Sequence, residues 1–205
     1  MSDETLSIMR RLDTSVAEIQ ASLQCAPLLT GIKVSNLLQI RSEQMEEVFR
    51  MFEGTQISCH VLSQKECKTA ILLYRRNRLI RYLSQEDVRK LMEEFGYSET
   101  VLEQILEKLS VHYRAYVDGN ADFPHEIGLL LGYPPEDVIG FIENEGKNCL
   151  YSGYWKVYGD PEKAKKTFDG YDRAKEAVIR MAGSGFGVKD IVAFYNIMRR
   201  RQLIA

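Results

Sequence analysis

Apolar residues recur at two spacings along this chain, and the spacing separates helices from strands. Met9, Leu12, Val16, Ile19 and Leu23 stand three or four apart, which sets one apolar stripe along a helix over 5–24. Pro27 is expected to end that stretch. Residues 33–40 (KVSNLLQI) read as a strand. Over 43–53, Met45, Val48, Phe49 and Phe52 share one helical side, with Gly54 as a stop. QISCHVL and KTAILLYR, separated by the polar SQKEC, read as an antiparallel hairpin. Its register stays open because no Asn-Gly or Asp-Gly marks the turn.

From residue 79 the pattern is helical again. Ser84 and Asp87 stand as in a capping box ahead of Val88, Leu91, Met92 and Phe95, and Gly96 closes that helix. Ser98 is expected to cap the next, where Val101, Ile105, Leu109, Tyr113 and Tyr116 repeat at helical spacing. His112 falls one position off this stripe and reads as a boundary residue. After the loop DGNAD, Pro124 opens HEIGLLLGY and Pro135 opens PEDVIGFIENE, since proline suits a first helical turn. CLYSGYWKVYG, rich in aromatic and β-branched residues, reads as one strand. Asp160 and Pro161 start a long helix, and Val188, Ile191, Val192, Tyr195 and Met198 mark a last one. The count is about seven or eight helices against three or four strands, without regular alternation. The expected fold is α+β: a mostly helical single domain over 1–205 with a small, largely antiparallel sheet. The helices at 1–24 and 188–205 are expected at its periphery.

Composition narrows the function. The chain has 205 residues, 45% of them hydrophobic, enough to bury a core without staples. Lys plus Arg number 27 against 29 Asp plus Glu, so no excess of cations favours non-specific binding to nucleic acid. No apolar run approaches the ~18 residues of a membrane span, and the acidic, polar start is unlike a signal peptide. A cytoplasmic protein is expected. Cys25, Cys59, Cys67 and Cys149 would then be reduced, and none is paired as C-x-x-C. Gly183, Gly185 and Gly187 follow a helix rather than open one, so GSGFG reads as a helix stop and not as a phosphate loop. HExxH is absent, no metal site is expected, and no cofactor can be named.

Three segments could carry chemistry. His125 and Glu126 are polar residues at the head of an otherwise apolar helix. They are either a cap and a dipole partner, or an imidazole that titrates near neutrality beside a carboxylate. The second segment gathers the one Trp, Trp155, with Tyr154, Lys156 and Tyr158. In a strand, Tyr154, Lys156 and Tyr158 share one side and Trp155 takes the other. That arrangement is either a core strand with a snorkelling lysine or an aromatic pocket wall with a cation. In the third, CAPLLTGIK, Cys25 and Lys33 sit in an expected non-helical connector, where a lysine can lower a thiol pKa; a buried inert cysteine is the alternative. Arg75 begins a basic run through Arg81 that is either a solvated face or an anion site.

CAPLLTGIK, ILLYR, FPHEIGLLLGYPPEDVIGFI and GYWKVYGDPEKA, in that order, resemble an uncharacterised bacterial family known as domain of unknown function 3793. The resemblance runs from about Leu23 to Phe194 and takes in Gly132, Tyr133, Gly153 and Gly159 besides the candidate residues. It implies no activity, because that family has none established. The expected function is binding of a small anionic or planar ligand or cofactor. The cleft would be lined by the FPHEIG and GYWKVYGD segments, and whether a reaction follows stays open. The alternative is a non-catalytic regulatory or interaction module, with a homodimer through the terminal helices as one form.

Overall fold

The computed structural model of the protein describes residues 3–204. Met1, Ser2 and Ala205, at the ends of the two terminal segments, lie outside them. Three strands form the central sheet: β1 (Ser35–Arg41), β2 (Ser58–Lys65) and β3 (Lys68–Tyr74). Their order is β1-β3-β2, antiparallel throughout. β3 is flanked on both edges and buried on both faces. Ala70, Leu72 and Tyr74 enter one hydrophobic cluster, while Ile71 and Leu73 enter the other. Successive strand residues point to opposite faces, so the unbroken apolar run in KTAILLY is what a doubly covered central strand requires.

The predicted hairpin is present, with a tighter turn than SQKEC suggested. Ser63, Gln64 and Lys65 remain in β2, Lys65 pairs with Lys68, and only Glu66 and Cys67 turn. Glu66 adopts φ +52° there. A bulge between Val61 and Ser63 shifts the register.

Helices cover the two faces of the sheet. On one side lie α2 (Ala17–Leu29), α3 (Met45–Phe52) and α10 (Val188–Ile204), with α9 (Pro161–Gly183) beside α2. Ala21, Leu28, Val48, Val178, Val188 and Ile191 meet there. The other side is covered by α4 (Arg76–Leu83), α5 (Glu86–Glu94), α6 (Leu102–Val117), α7 (Ile127–Leu130) and α8 (Pro135–Glu143). Their Leu79, Val88, Leu106, Leu109 and Leu130 share a cluster with Leu62 and Leu72. α1 (Asp3–Arg11) packs on α9. The protein is α+β, as its sequence pattern indicates. Among the described residues no helix is long and apolar enough to cross a membrane.

Several expected boundaries move. The helix over 5–24 breaks at 12–16 into α1 and α2. Pro27 lies inside α2 and does not end it. Its carbonyl instead accepts from the amides of Ile32 and Lys33, both at 2.9 Å. These bonds close the helix around Gly31, whose φ of +76° suits glycine. Ser84 ends α4 and does not cap α5, and Val101, not Ser98, is the N-cap of α6. Asp160 does cap α9, accepting from the amides of Glu162 and Lys163 at 3.0 Å, with Pro161 as the first helical residue.

Candidate functional site

The aromatic segment is not one strand. It folds back on itself as β4 (Tyr151–Ser152) and β5 (Lys156–Val157), a short hairpin with Gly153, Tyr154 and Trp155 in its turn. The turn lies flat on α9: a Cβ on Gly153 would stand 2.4 Å from the Phe168 ring. Val157 is buried beneath. Trp155 meets Phe168 edge-on, with ring centroids 4.4 Å apart, and stacks on Tyr133 at 5.0 Å and 27°.

Asp137 fixes this hairpin. It is buried on α8, and its Oδ2 accepts from Trp155 Nε1 at 2.7 Å. Its Oδ1 accepts from the backbone amides of Tyr158 and Gly159 at 2.7 and 2.8 Å. Three donors on one carboxylate are strong, charge-assisted bonds. A first-turn acid suggests only a favourable helix-dipole partner, and nothing in its spacing marks it as the anchor of a segment eighteen residues further on.

Between α7, α8 and this hairpin lies a cavity of about 330 Å³. Phe123, His125, Leu131, Tyr133, Phe141, Tyr154, Trp155 and Lys156 are among its lining residues. His125 sits between Phe123 and Phe141, with centroids 5.6 and 5.5 Å away. Lys156 Nζ lies 5.8 Å from the Phe141 centroid and donates to the Gly146 carbonyl. His125 and Lys156 therefore both lie close to the Phe141 ring. Neither ring nitrogen of His125 has a hydrogen-bond partner among the described residues. Tyr154 donates to Asp172 Oδ1 at 2.8 Å. Burial, and then that bond, raise its phenol above the ordinary range.

Of the nine candidate residues, His125, Tyr154, Trp155 and Lys156 meet in this cavity. Glu126 does not. Consecutive residues of a helical turn diverge, and Glu126 points toward α6 and the segment before it, where its Oε1 accepts from Tyr97 at 3.1 Å and lies 2.6 Å from His112 Nδ1. His112 is half-buried there, as a boundary residue would be, and Glu126 is its partner. Tyr158 leaves the cavity because β5 is only two residues long and its alternation stops there. Its side chain lies against Gly140, and its hydroxyl is enclosed without a partner.

The CAPLLTGIK residues also lie elsewhere. Cys25 is helical, not in a connector, and buried in the core below the sheet. Burial pushes its thiol up to about 12, outweighing the nearby Lys33; this is the opposite of nucleophilic activation. Lys33 is buried too, and burial pulls it down to about 8. Its Nζ donates to Asn36 Oδ1 at 3.2 Å and sits 5.3 Å over the Tyr133 ring. It touches a residue of the cavity wall without entering the cavity. Arg75 lines a separate cleft. Sequence reading missed Phe123, Phe141 and Asp137 here; Phe123, directly before Pro124, and Phe141 offered only generic apolar signals.

All four cysteines are free. A model of the family described as Protein of unknown function (DUF3793) matches residues 22–192. No curated protein and no solved structure matches the chain.

Proposed function

The chain belongs to the DUF3793 family, and we propose that it is a cytoplasmic protein that binds a small planar anion in the cavity between α7, α8 and the β4–β5 hairpin. The observation that carries this reading is the pairing of aromatic walls with two polar groups on one ring. Tyr133 and Trp155 stack as a flat wall, while His125 and Lys156 converge on Phe141. Ligand sites are mostly apolar, with a few placed polar groups, and span roughly 300–1,000 Å³. At about 330 Å³ this cavity suits a compound of one or two rings. An aromatic carboxylate fits the chemistry. Its ring would lie along the wall, and its carboxylate would accept from Lys156 and from a ring N–H of His125. The unpaired cysteines are consistent with a reducing compartment. Whether binding leads to a reaction is a separate matter, and no catalytic role is assigned.

The protein contains one Trp, so its emission reports on this wall alone. Titration with benzoate and 1-naphthoate should change Trp155 emission saturably, and His125→Ala should weaken the response. Unchanged emission with both compounds, together with a native mass equal to the bare 23.6 kDa chain, would overturn the proposal. The competing reading, an interaction module, rests on Phe194, Ile197 and Met198, which are exposed on α10. A second copy of the chain would be its partner. A light-scattering mass of twice the chain would support it, and a monomer would remove it.

A further inference from the structure

A second cleft, distant in sequence from the aromatic segments, gathers positive charge. Its walls come from the loop between α3 and β2, the start of β2, the first turn of α4, and α10, and its volume is about 490 Å³. Arg75, Arg78, Arg199 and Arg200 all line it. The first three converge on the C-terminal end of α2. Arg75, only 6% exposed, donates to the Leu28 and Leu29 carbonyls, each at 3.1 Å. Its remaining bonds go to the side-chain oxygens of Asn196 and Gln56 at 3.1 and 3.4 Å. Arg78 and Arg199 both donate to the single carbonyl of Gly31.

Every acceptor in this set is neutral. Among the described residues no carboxylate forms an ion pair with Arg75, Arg78, Arg199 or Arg200. Glu53 lines the adjoining hollow with Arg200 but does not pair with it. Arg76, which also lines the cleft, shows the contrast, because it alone of the five lining arginines is matched by an acid, Glu103.

A structural account is available for part of this. The C-terminus of a helix carries about half a negative charge, and cations there cap its free carbonyls. Three guanidinium groups bring three positive charges to that half charge, so capping leaves about two and a half uncompensated. Their mutual repulsion is visible: Arg75 is pulled down to about 10, first by burial and then by Arg199 and Arg78. Holding such groups together without an acid is unfavourable unless an external anion completes the set.

We propose that this cleft binds a phosphoryl group, carried by a small phosphomonoester or free as inorganic phosphate. A phosphoryl dianion matches the surplus charge better than a singly charged, planar carboxylate, and its oxygens can be met by guanidinium donors from several directions. The amides of Arg76 and Asn77 in the first turn of α4 also lack backbone acceptors, and no acid occupies that turn. The cleft has room beyond one phosphate for an attached group. This site is independent of the aromatic cavity, and each can fail without the other.

The test is calorimetric titration of the whole chain with inorganic phosphate and phenyl phosphate, at fixed ionic strength against chloride. Both probes should bind with a stoichiometry near one. Tighter binding of phenyl phosphate would identify the phosphomonoester as the fitting ligand, and equal binding would identify the free ion. Arg200 is exposed and makes no hydrogen bond to the described residues, so Arg200→Gln should fold normally and weaken binding about fivefold. Arg78→Gln should weaken it about tenfold, and its melting temperature without ligand separates that loss from lost capping. Absence of heat with both probes, or affinity unchanged in both variants, would overturn the proposal.

Discussion

The aromatic cavity and the arginine cleft are each organised by a buried charge, but the charges differ in sign and in reach. Asp137 accepts bonds from residues 18, 21 and 22 positions away. Arg75 donates to residues 19, 46, 47 and 121 positions away. Asp137 meets only N–H groups, so its charge is consumed in holding a hairpin closed. Arg75 meets only neutral oxygens, and other cations stand beside it. The first arrangement is finished within the chain. The second leaves charge for something outside it. A buried ion thus has opposite meanings depending on whether its neighbours cancel its field.

The strongest way to break this contrast is to remove the anion. Asp137→Ala would leave the Trp155 indole and two backbone amides without their acceptor in a part-buried setting. Unsatisfied donors cost about 1–3 kcal/mol each, and some will find water, so a loss of about 4 kcal/mol is expected. Urea unfolding measures it, and Trp155 emission should shift in the native baseline as the ring loosens. A loss below about 1 kcal/mol would mean that aromatic stacking holds the hairpin and that Asp137 is incidental.

Lys33 connects the two regions, because it follows the α2 end that receives the arginines and touches Tyr133 of the cavity wall. Burial pulls it from its ordinary 10.5 to about 8. Between those values the unfolded chain holds a proton that the folded chain has released, so this residue makes stability rise with pH across that window. Below about 8 the folded state carries the full penalty. Lys33→Met should therefore be more stable than the parent at pH 7. The gain should be about 2 kcal/mol, less than the roughly 3 implied by the displaced pKa because the Asn36 and Tyr133 contacts are lost. The advantage should shrink above pH 8 and vanish past about 10.5. Cys25 works the other way, keeping its proton until about 12 in the folded state, but both proteins share it and the comparison removes it to first order. A variant less stable than the parent at pH 7 would show that Lys33 is a net stabiliser and that its burial is compensated.

Reach along the chain also explains what could be read beforehand. The sheet was legible because KTAILLY and its partner carry their burial pattern locally, and Asp160-Pro161 announced a helix start in two residues. Four of the nine candidate residues meet in the cavity because HEIG and GYWK lie on elements joined by one short helix. Arg75 was noticed as part of a basic run, but its companions at 196–200 come to it only through the packing of α10 over α2. Cys25 was misplaced for a more local reason, whereas Lys33 does lie in the expected connector between α2 and β1. Proline normally stops a helix, but here α2 runs past Pro27 to Leu29 and closes only at Gly31, through amides five and six residues on.

The smallest expected effect separates a pocket wall from a core strand. Lys156 is exposed, donates only to the Gly146 carbonyl, and pairs with no acid. The substitution removes one hydrogen bond to a neutral carbonyl and no ion pair, so Lys156→Ala should change unfolding free energy by no more than about 1 kcal/mol. Binding should respond more. Loss of one charge-assisted contact to a carboxylate weakens affinity by about tenfold, which the benzoate titration of Trp155 emission would read directly. The variant must be compared with Lys156→Arg, which keeps the charge and should recover part of the affinity. A stability loss above about 2 kcal/mol would instead mark Lys156 as a structural partner of a buried group. The cavity would then lack its cation, its contrast with the arginine cleft would become absolute, and the case for an anionic ligand would rest on His125 alone.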